Sequence, residues 1–574
     1  MKKIVIVGGV AGGASTAARL RRRDETAHII LYERGEYISY ANCGLPYYIG
    51  GTIKNRNHLF VQTPESFSKR FNLDIRINSE IIGIDRDKKE VLVKNADTGE
   101  TTTESYDKLV LSPGAEPVRP PIPGIQLPGI FTLRSVPDTD RIKSFMGKKK
   151  PKRAIIVGAG FIGLEMAENL HHSRIFVTIV EMAEQVMTPL DYEMAAAVHQ
   201  HLKTKHVEFY LKDAVESFEK SGKGLNVRLS SGRNLKADMV ILSIGVRPES
   251  KLAKEADLAI GSTGGIQVNE YLQTSDPDIY ALGDAIEVEN PIINRKMTAY
   301  LAGPANKQGR VVADNIVSEN KIKYRGSITT AIAKVFDLTV ASTGVSEKTL
   351  IKEKIPYIAS ITHGSSHAGY YPGATPMTIK IQFSPKDGKV FGAQIVGYEG
   401  VDKRIDMIAN TLKQGGTVCD LMDIEHAYAP PFSSAKDPVN IAGFAADNIL
   451  HGLVQIVHWH EIQKADPDKD FLLDVRTRHE VKQGTIHGSY HIPLDDLRDR
   501  MDEIPKDRRI LIFCAAGLRG YLTARILMQN GFENVYNLSG GYITYEHAIQ
   551  KQSNEDIFDH SFIHRDGALY SSEE

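Results

Sequence analysis

Two stretches of the chain end a β-branched run in a glycine turn and continue with helical periodicity, a pattern that leaves few folds open. In "RAIIVGAGFIGLEMAENL" the turn places Gly158, Gly160 and Gly163 in a full G-x-G-x-x-G frame, and "FVTIVEMAE" follows as a strand ending in Glu181. In "KKIVIVGGVAGGASTAARLRRR" the second glycine position is Val10, with Gly8, Gly9, Gly12 and Gly13 around it, and "HIILYERGE" ends in Glu33. Each stretch reads as a strand, helix, strand unit. Its glycines let the backbone approach a pyrophosphate, its helix start offers free N–H groups and a positive dipole end, and its acid accepts from ribose hydroxyls. Taken alone, the first copy also reads as a plain glycine-rich turn. In the second, Glu181 repels a 2′-phosphate, which favours NADH and leaves NADPH open as a donor.

At roughly 100 to 200 residues per domain, the 574-residue chain has room for about three to five domains. Its 70 Lys plus Arg against 71 Asp plus Glu give no reason to expect nucleic acid or an anionic membrane as a general partner. Three distant cysteines, Cys43, Cys419 and Cys514, are too few for a disulfide framework and suit a reducing cytoplasm. The N-terminal apolar run breaks into glycines, so it reads as a first strand and not as a leader. No apolar run of about 18 residues occurs, so no spanning helix is expected.

A third segment, "TSDPDIYALGD", and the strands "LVLSPGAEP" and "VILSIGVRP" complete a pattern that resembles two-dinucleotide flavoproteins. The resemblance implies an FAD half, an inserted nicotinamide-nucleotide domain and an FAD return. It implies FAD contacts from Gly8, Gly9, Ala11, Gly12, Gly13, Glu33 and Arg34, from Ser112, Pro113 and Gly114, and from Asp284 on the ribityl chain. It implies nicotinamide-nucleotide contacts from Gly158, Gly160, Phe161, Ile162, Gly163 and Glu181.

"SYANCGLPYYIGG" puts one cysteine, Cys43, shortly after the first unit. A free cysteine is most often a buried structural thiol. Residues 1 to about 450, however, resemble the coenzyme A-disulfide reductase branch of the pyridine nucleotide-disulfide oxidoreductases, homodimeric enzymes in which one such cysteine replaces the C-x4-C pair of glutathione-reductase-like relatives. The resemblance implies that Cys43 forms a mixed disulfide with coenzyme A, or cycles as sulfenic acid in the peroxidase and oxidase cousins. It also implies substrate contacts from Ser15, Arg19, Arg22, Ser39, Asn42, Asn306 and Lys436. The spacing of Ser15, Arg19 and Arg22 puts them on one helix face, which by itself equally reads as a solvated basic face. A lysine that some relatives use near "SKRFNLD" aligns with Phe71, leaving Lys69 or Arg70 as substitutes. Tyr370, taken over Tyr371, and Tyr428 match tyrosines that reach the partner subunit's cysteine site in relatives, where a phenol can protonate a leaving thiolate.

After the polar stretch "GLVQIVHWHEIQKADPDKD" a fresh α/β pattern begins and resembles a single rhodanese domain. The strand "ILIF" delivers Cys514 into "CAAGLR", and a helix start faces that loop, so amides and dipole favour a thiolate or persulfide there. The loop to Arg519 is one residue shorter than the C-x5-R loop of phosphatases and suits a single transferred sulfur. Asp474 and Arg476 read as structural, as does Cys419. An inactive docking module is the alternative.

The expected architecture is α/β: two Rossmann-like domains, an α+β dimerisation domain and a C-terminal α/β rhodanese. Its boundaries are 1–120 and 251–325 for FAD, 121–250 for the nicotinamide nucleotide, 326–450 for dimerisation, 451–466 for a linker, 467–553 for the rhodanese and 554–574 for a polar tail without a metal site. The expected enzyme is an FAD-dependent NAD(P)H reductase of coenzyme A disulfide and of coenzyme A persulfide or polysulfide, with a protein persulfide as a further donor. Its rivals are an NADH peroxidase or oxidase, and a persulfide carrier whose flavin half regulates it. Replacing Glu181 by a neutral or basic residue is expected to raise relative use of NADPH. An unchanged ratio of catalytic efficiencies for the two donors would remove Glu181 from the specificity argument.

Overall fold

The computed structural model describes residues 2–550, so the expected tail lies outside the described residues. The chain divides into two compact units, one running up to Met182 and resuming over Asp213–Thr329, the other comprising Ala183–Lys212 and the chain from Thr330 onward.

In the first unit the β-branched run Lys3–Val7 is the central strand of a parallel sheet. The order is Ile279–Ala281, Lys108–Leu111, Lys3–Val7, His28–Tyr32, Asp74–Arg76. Both faces of such a sheet are covered, which is why these strands are nearly continuously apolar. Ile4, Val5, Ile6, Ile29, Ile30 and Leu31 are all buried in one core. A second parallel array repeats the plan in the order Phe176–Val180, Arg153–Val157, Met239–Leu242, Ile130–Thr132. The chain leaves the first sheet through Ala115–Pro117 and returns through Val246–Pro248, and these two segments pair antiparallel as a ribbon. The second nucleotide domain is thus inserted into the first, in the order expected from the sequence.

The second unit holds two sheets. The first is antiparallel, in the order Ala331–Val335, Leu338–Gly344, Val390–Gly397, Pro376–Phe383, Ile358–Ser365. The other is parallel, in the order Gln455–Val457, Val535–Leu538, Arg509–Phe513, Asp470–Asp474, Tyr490–His491. The stretch 451–466, expected as a linker, is part of this last domain: Gln455–Val457 is its edge strand and Trp459–Ile462 a short helix. A three-residue edge strand is too short to show a period, so the polar residues around it dominate the reading.

The same stretch is held in place. Trp459 stacks on Tyr192 at 5.4 Å between ring centroids. Ile361 N–H donates to Ser539 Oγ at 2.9 Å, and His363 Nε2 lies 2.9 Å from the Gly540 carbonyl and 3.1 Å from Thr544 Oγ1. Burial pulls the His363 and His547 imidazoles down to about 4 from the ordinary 6.5. Between pH 6.5 and 4 the unfolded chain therefore binds protons at both rings that the folded chain does not. Stability of this unit is expected to fall as pH drops through that window, with His363→Gln showing a shallower fall. Thermal unfolding followed from pH 7.5 to 5 checks it, and a flat profile would contradict it.

Candidate active site

The first glycine loop is built by close approach. Gly8 has φ +92°, and a Cβ there would sit 2.2 Å from the Ser112 carbonyl oxygen, while one on Gly13 would sit 1.9 Å from that of Gly8. The helix Ala11–Arg23 starts without a side-chain cap, which leaves its first N–H groups for an anion. Glu33 accepts from Gly9 N–H and from Gly35 N–H, each at 2.9 Å, so the acid is anchored beside the loop. Arg34 faces Glu116 at 3.6 Å, and the Pro113 carbonyl accepts from Arg134 at 3.0 Å. Gly114 has φ +81°. Asp284 sits in the turn Gly283–Ala285, and burial raises its carboxyl to about 6, opposed by the charge of Arg134. A sheltered carboxyl beside a side-chain-free cradle fits the hydroxyls and pyrophosphate of FAD.

The second loop repeats this geometry. A Cβ on Gly163 would lie 2.1 Å from the Gly158 oxygen, and Gly158 has φ +97°, but a Cβ on Gly160 would meet nothing within 4 Å. Gly160 therefore leaves space at the start of the helix Phe161–His172, where a nucleotide fits; Phe161 and Ile162 form its first turn, with Ile162 exposed. Glu181 accepts from Ala159 N–H at 2.7 Å.

Cys43 is exposed in a short turn, Asn42–Gly44, that leads into the helix Leu45–Gly50. Ser39, with φ +46°, donates its N–H to the Gly9 carbonyl at 2.8 Å, which ties the cysteine segment to the first loop. The helix after Cys43 is pressed on the helix Phe161–His172, for a Cβ on Gly50 would lie 2.2 Å from Asn169 Oδ1. This brings up Glu165, which the sequence reading missed. Tyr47 donates to it at 3.4 Å, and burial raises its carboxyl to about 7. Desolvation, then the charges of Glu165 and Asp284, push the Cys43 thiol above its ordinary value.

The basic face divides. Ser15 is hydrogen-bonded to Asn306. Arg19 is held by Asp314 through two bonds of 2.9 and 3.1 Å, whereas Arg22 is exposed with its guanidinium 6.0 Å from the Phe71 ring centre. Arg22 thus lies over the ring of Phe71, the position that aligns with the relatives' lysine. Asn42 and, in the second unit, Lys436 are exposed. Also in that unit, the Tyr370 and Tyr428 hydroxyls lie 2.9 Å apart, both side chains exposed, while Tyr371 packs edge-on against His367 at 5.7 Å.

Cys514 is buried at the end of the strand Arg509–Phe513, and Gly517 N–H donates to its Sγ at 3.0 Å. Gly517 has φ +109°, and Asn537 fixes its carbonyl at 3.0 Å. Arg519 forms a fork with Glu480, at 2.7 and 2.6 Å. Asp474 and Arg476 form a buried pair in the same domain. Glu480 was legible only as the end of the capping box "TRHE".

Comparison with known proteins follows the same division. The pyridine nucleotide-disulphide oxidoreductase family matches residues 2–309, that family's dimerisation domain 330–438, and the rhodanese-like domain 458–548. The coenzyme A disulfide reductase of Staphylococcus epidermidis is 34% identical over 446 residues, 78% of this chain and 100% of that protein. The crystal structure of reduced Bacillus anthracis CoADR-RHD is similar with a TM-score of 0.94 and 55% identity, covering 95% of this chain and 98% of that one. A NAD-dependent persulfide reductase from A. fulgidus is similar with a TM-score of 0.88 and 38% identity, covering 95% and 100%.

Because the charge of Glu165 disfavours the Cys43 thiolate, Glu165→Gln is expected to lower the pH midpoint of Cys43 alkylation in the reduced protein. An unchanged midpoint would show that desolvation and Asp284 raise the thiol without Glu165.

Proposed function

This chain belongs to the pyridine nucleotide-disulphide oxidoreductase family, and from that premise we propose that it is a homodimeric, FAD-dependent NADH reductase of coenzyme A disulfide and coenzyme A persulfide or polysulfide. The observation that carries this reading is that Cys43, the one cysteine of the first unit, follows a segment tied through Ser39 to the first nucleotide loop and leads into a helix packed on the helix of the second. A lone thiol there has to pair with a sulfur or an oxygen from outside the chain. Bound FAD and NADH supply the electron pair that returns an oxidised Cys43 to the thiol state.

The chain's own part follows from the geometry. The Cys43 thiolate attacks one sulfur of coenzyme A disulfide, forms a mixed disulfide with coenzyme A and releases the second coenzyme A as thiolate. With coenzyme A persulfide, attack on the sulfur bonded to carbon gives the same mixed disulfide and releases hydrosulfide. Glu165, which titrates at about 7, holds the proton that the thiol gives up. Arg22, in the last turn of the first helix, offers an unpaired guanidinium to phosphate, while Ser15 with Asn306 and Ser39 offer polar groups nearer the start of that helix and Asn42 one beside Cys43. Glu181 disfavours a 2′-phosphate. Tyr370 and Tyr428 offer a hydroxyl pair to the site of a second subunit.

Cys514 takes the outer sulfur of a persulfide, including one carried by a protein, and its loop amides hold the negative charge. With Cys43→Ser, flavin and its reduction by NADH are expected to persist while disulfide and persulfide turnover is lost. Retained turnover would mean that another thiol receives the electrons. Cys514→Ser is expected to spare small disulfides and to slow sulfide release from persulfidated protein, both followed by NADH consumption. Equal slowing of both substrates would end the idea of a collecting role for Cys514.

A further inference from the structure

The loop from Cys514 to Arg519 contains one cation, Arg519, and that cation is already engaged. Its two terminal nitrogens donate to the two oxygens of Glu480 at 2.7 and 2.6 Å. Glu480 is itself fixed, because one of these oxygens also accepts from Thr477 N–H and Thr477 Oγ1, each at 2.8 Å. The neighbouring Arg476 is buried, pairs with Asp474 and lies 4.1 Å from the Tyr542 ring centre. A bidentate guanidinium and carboxylate carry no net charge, and two of the guanidinium's five donors are spent on Glu480. What the loop does expose is apolar: Leu518 is 68% accessible and Leu522, one turn further on the same helix face, 42%.

Sulfur donors differ at the atom next to the transferred sulfur. In thiosulfate that atom carries sulfonate oxygens, which must enter the loop beside Cys514. In an alkyl persulfide the sulfur there is bonded to a methylene group. Resting on the reading of Cys514 as a sulfur acceptor, we propose that the Glu480 and Arg519 fork, together with Leu518, makes this loop select alkyl persulfides over thiosulfate.

The step itself is a sulfur transfer without net oxidation. The Cys514 thiolate attacks the outer sulfur, a bond forms between Sγ and that sulfur, and the bond to the donor breaks. The donor leaves as an alkyl thiolate, or as sulfite when thiosulfate reacts. Glu480 touches neither sulfur; it positions Arg519 and cancels its charge.

The test uses the full-length holoenzyme and follows the added sulfur on the Cys514 peptide by mass spectrometry, with glutathione persulfide or thiosulfate as donor. The wild-type protein is expected to load from the persulfide and slowly from thiosulfate. Glu480→Gln is expected to raise the thiosulfate-to-persulfide rate ratio about tenfold, in keeping with one hydrogen bond to a charged group. Leu518→Arg, which adds a cation at an exposed position without touching the fork, is expected to raise it as well. A merely structural role for Glu480 would slow both donors together and leave the ratio unchanged, and that result in both variants would overturn the proposal. Equal loading of the wild-type protein by the two donors would also overturn it while leaving Cys514 a sulfur acceptor. Loading by neither would overturn both.

Discussion

A helix pressed without side chains against the turn that starts it is the contact on which both nucleotide loops depend. Any residue larger than glycine at 13 or 163 would drive a Cβ to about 2 Å from a carbonyl oxygen of the same loop. The contact sets the helix start over the end of the preceding strand. It leaves the first amides uncapped by side chains. It also fixes where the next strand must end, because Gly9 and Ala159 each donate an N–H to the acid there, Glu33 or Glu181. Cradle, helix dipole and acid are thus one geometry made twice.

That geometry was readable because it is local, and even the departure at Val10 has a reason. Its counterpart in the second loop, Gly160, has open space in the direction of a Cβ, so the frame's second glycine serves the ligand's approach and not the packing of the chain. The order of domains and the Cys514 loop were legible for the same reason: each motif spans few residues. What the sequence hid was long-range. Arg19 sits on the expected helix face, yet Asp314, 295 residues away, holds its guanidinium. Glu165 belongs by sequence to the nicotinamide-nucleotide helix, and only the packing of Gly50 on Asn169 brings it to Cys43.

The two candidate thiols sit in different surroundings. Around Cys514 an amide nitrogen lies 3.0 Å from the sulfur and the nearest cation, Arg519, is paired with Glu480. Around Cys43 two carboxylates and desolvation oppose negative charge on sulfur. A thiol that resists ionisation is a slow nucleophile but, once its proton has left, a more nucleophilic sulfur, since intrinsic nucleophilicity rises with pKa. Such a site gains from a nearby base, and Glu165, whose carboxyl burial raises to about 7, is one.

The second unit shows why Ala183–Lys212 does not group with the nucleotide domain that surrounds it in sequence. Lys380, fully buried in the antiparallel sheet, pairs with Asp191 at 3.0 Å and with Glu193, both from that segment, and with Glu347. Asp191 also accepts from Gln382 and Gln394, at 2.8 and 2.7 Å. Between these acids Tyr192 turns its ring onto Trp459. Removing one partner of such a buried ionic group costs about 3–5 kcal/mol, because the others stay charged and dry. Three consecutive residues therefore clamp the segment to the sheet through Asp191 and Glu193, and to the start of the Cys514 domain through Tyr192. The stretch 451–466 is thus built into this fastening as the edge strand and short helix of the Cys514 domain.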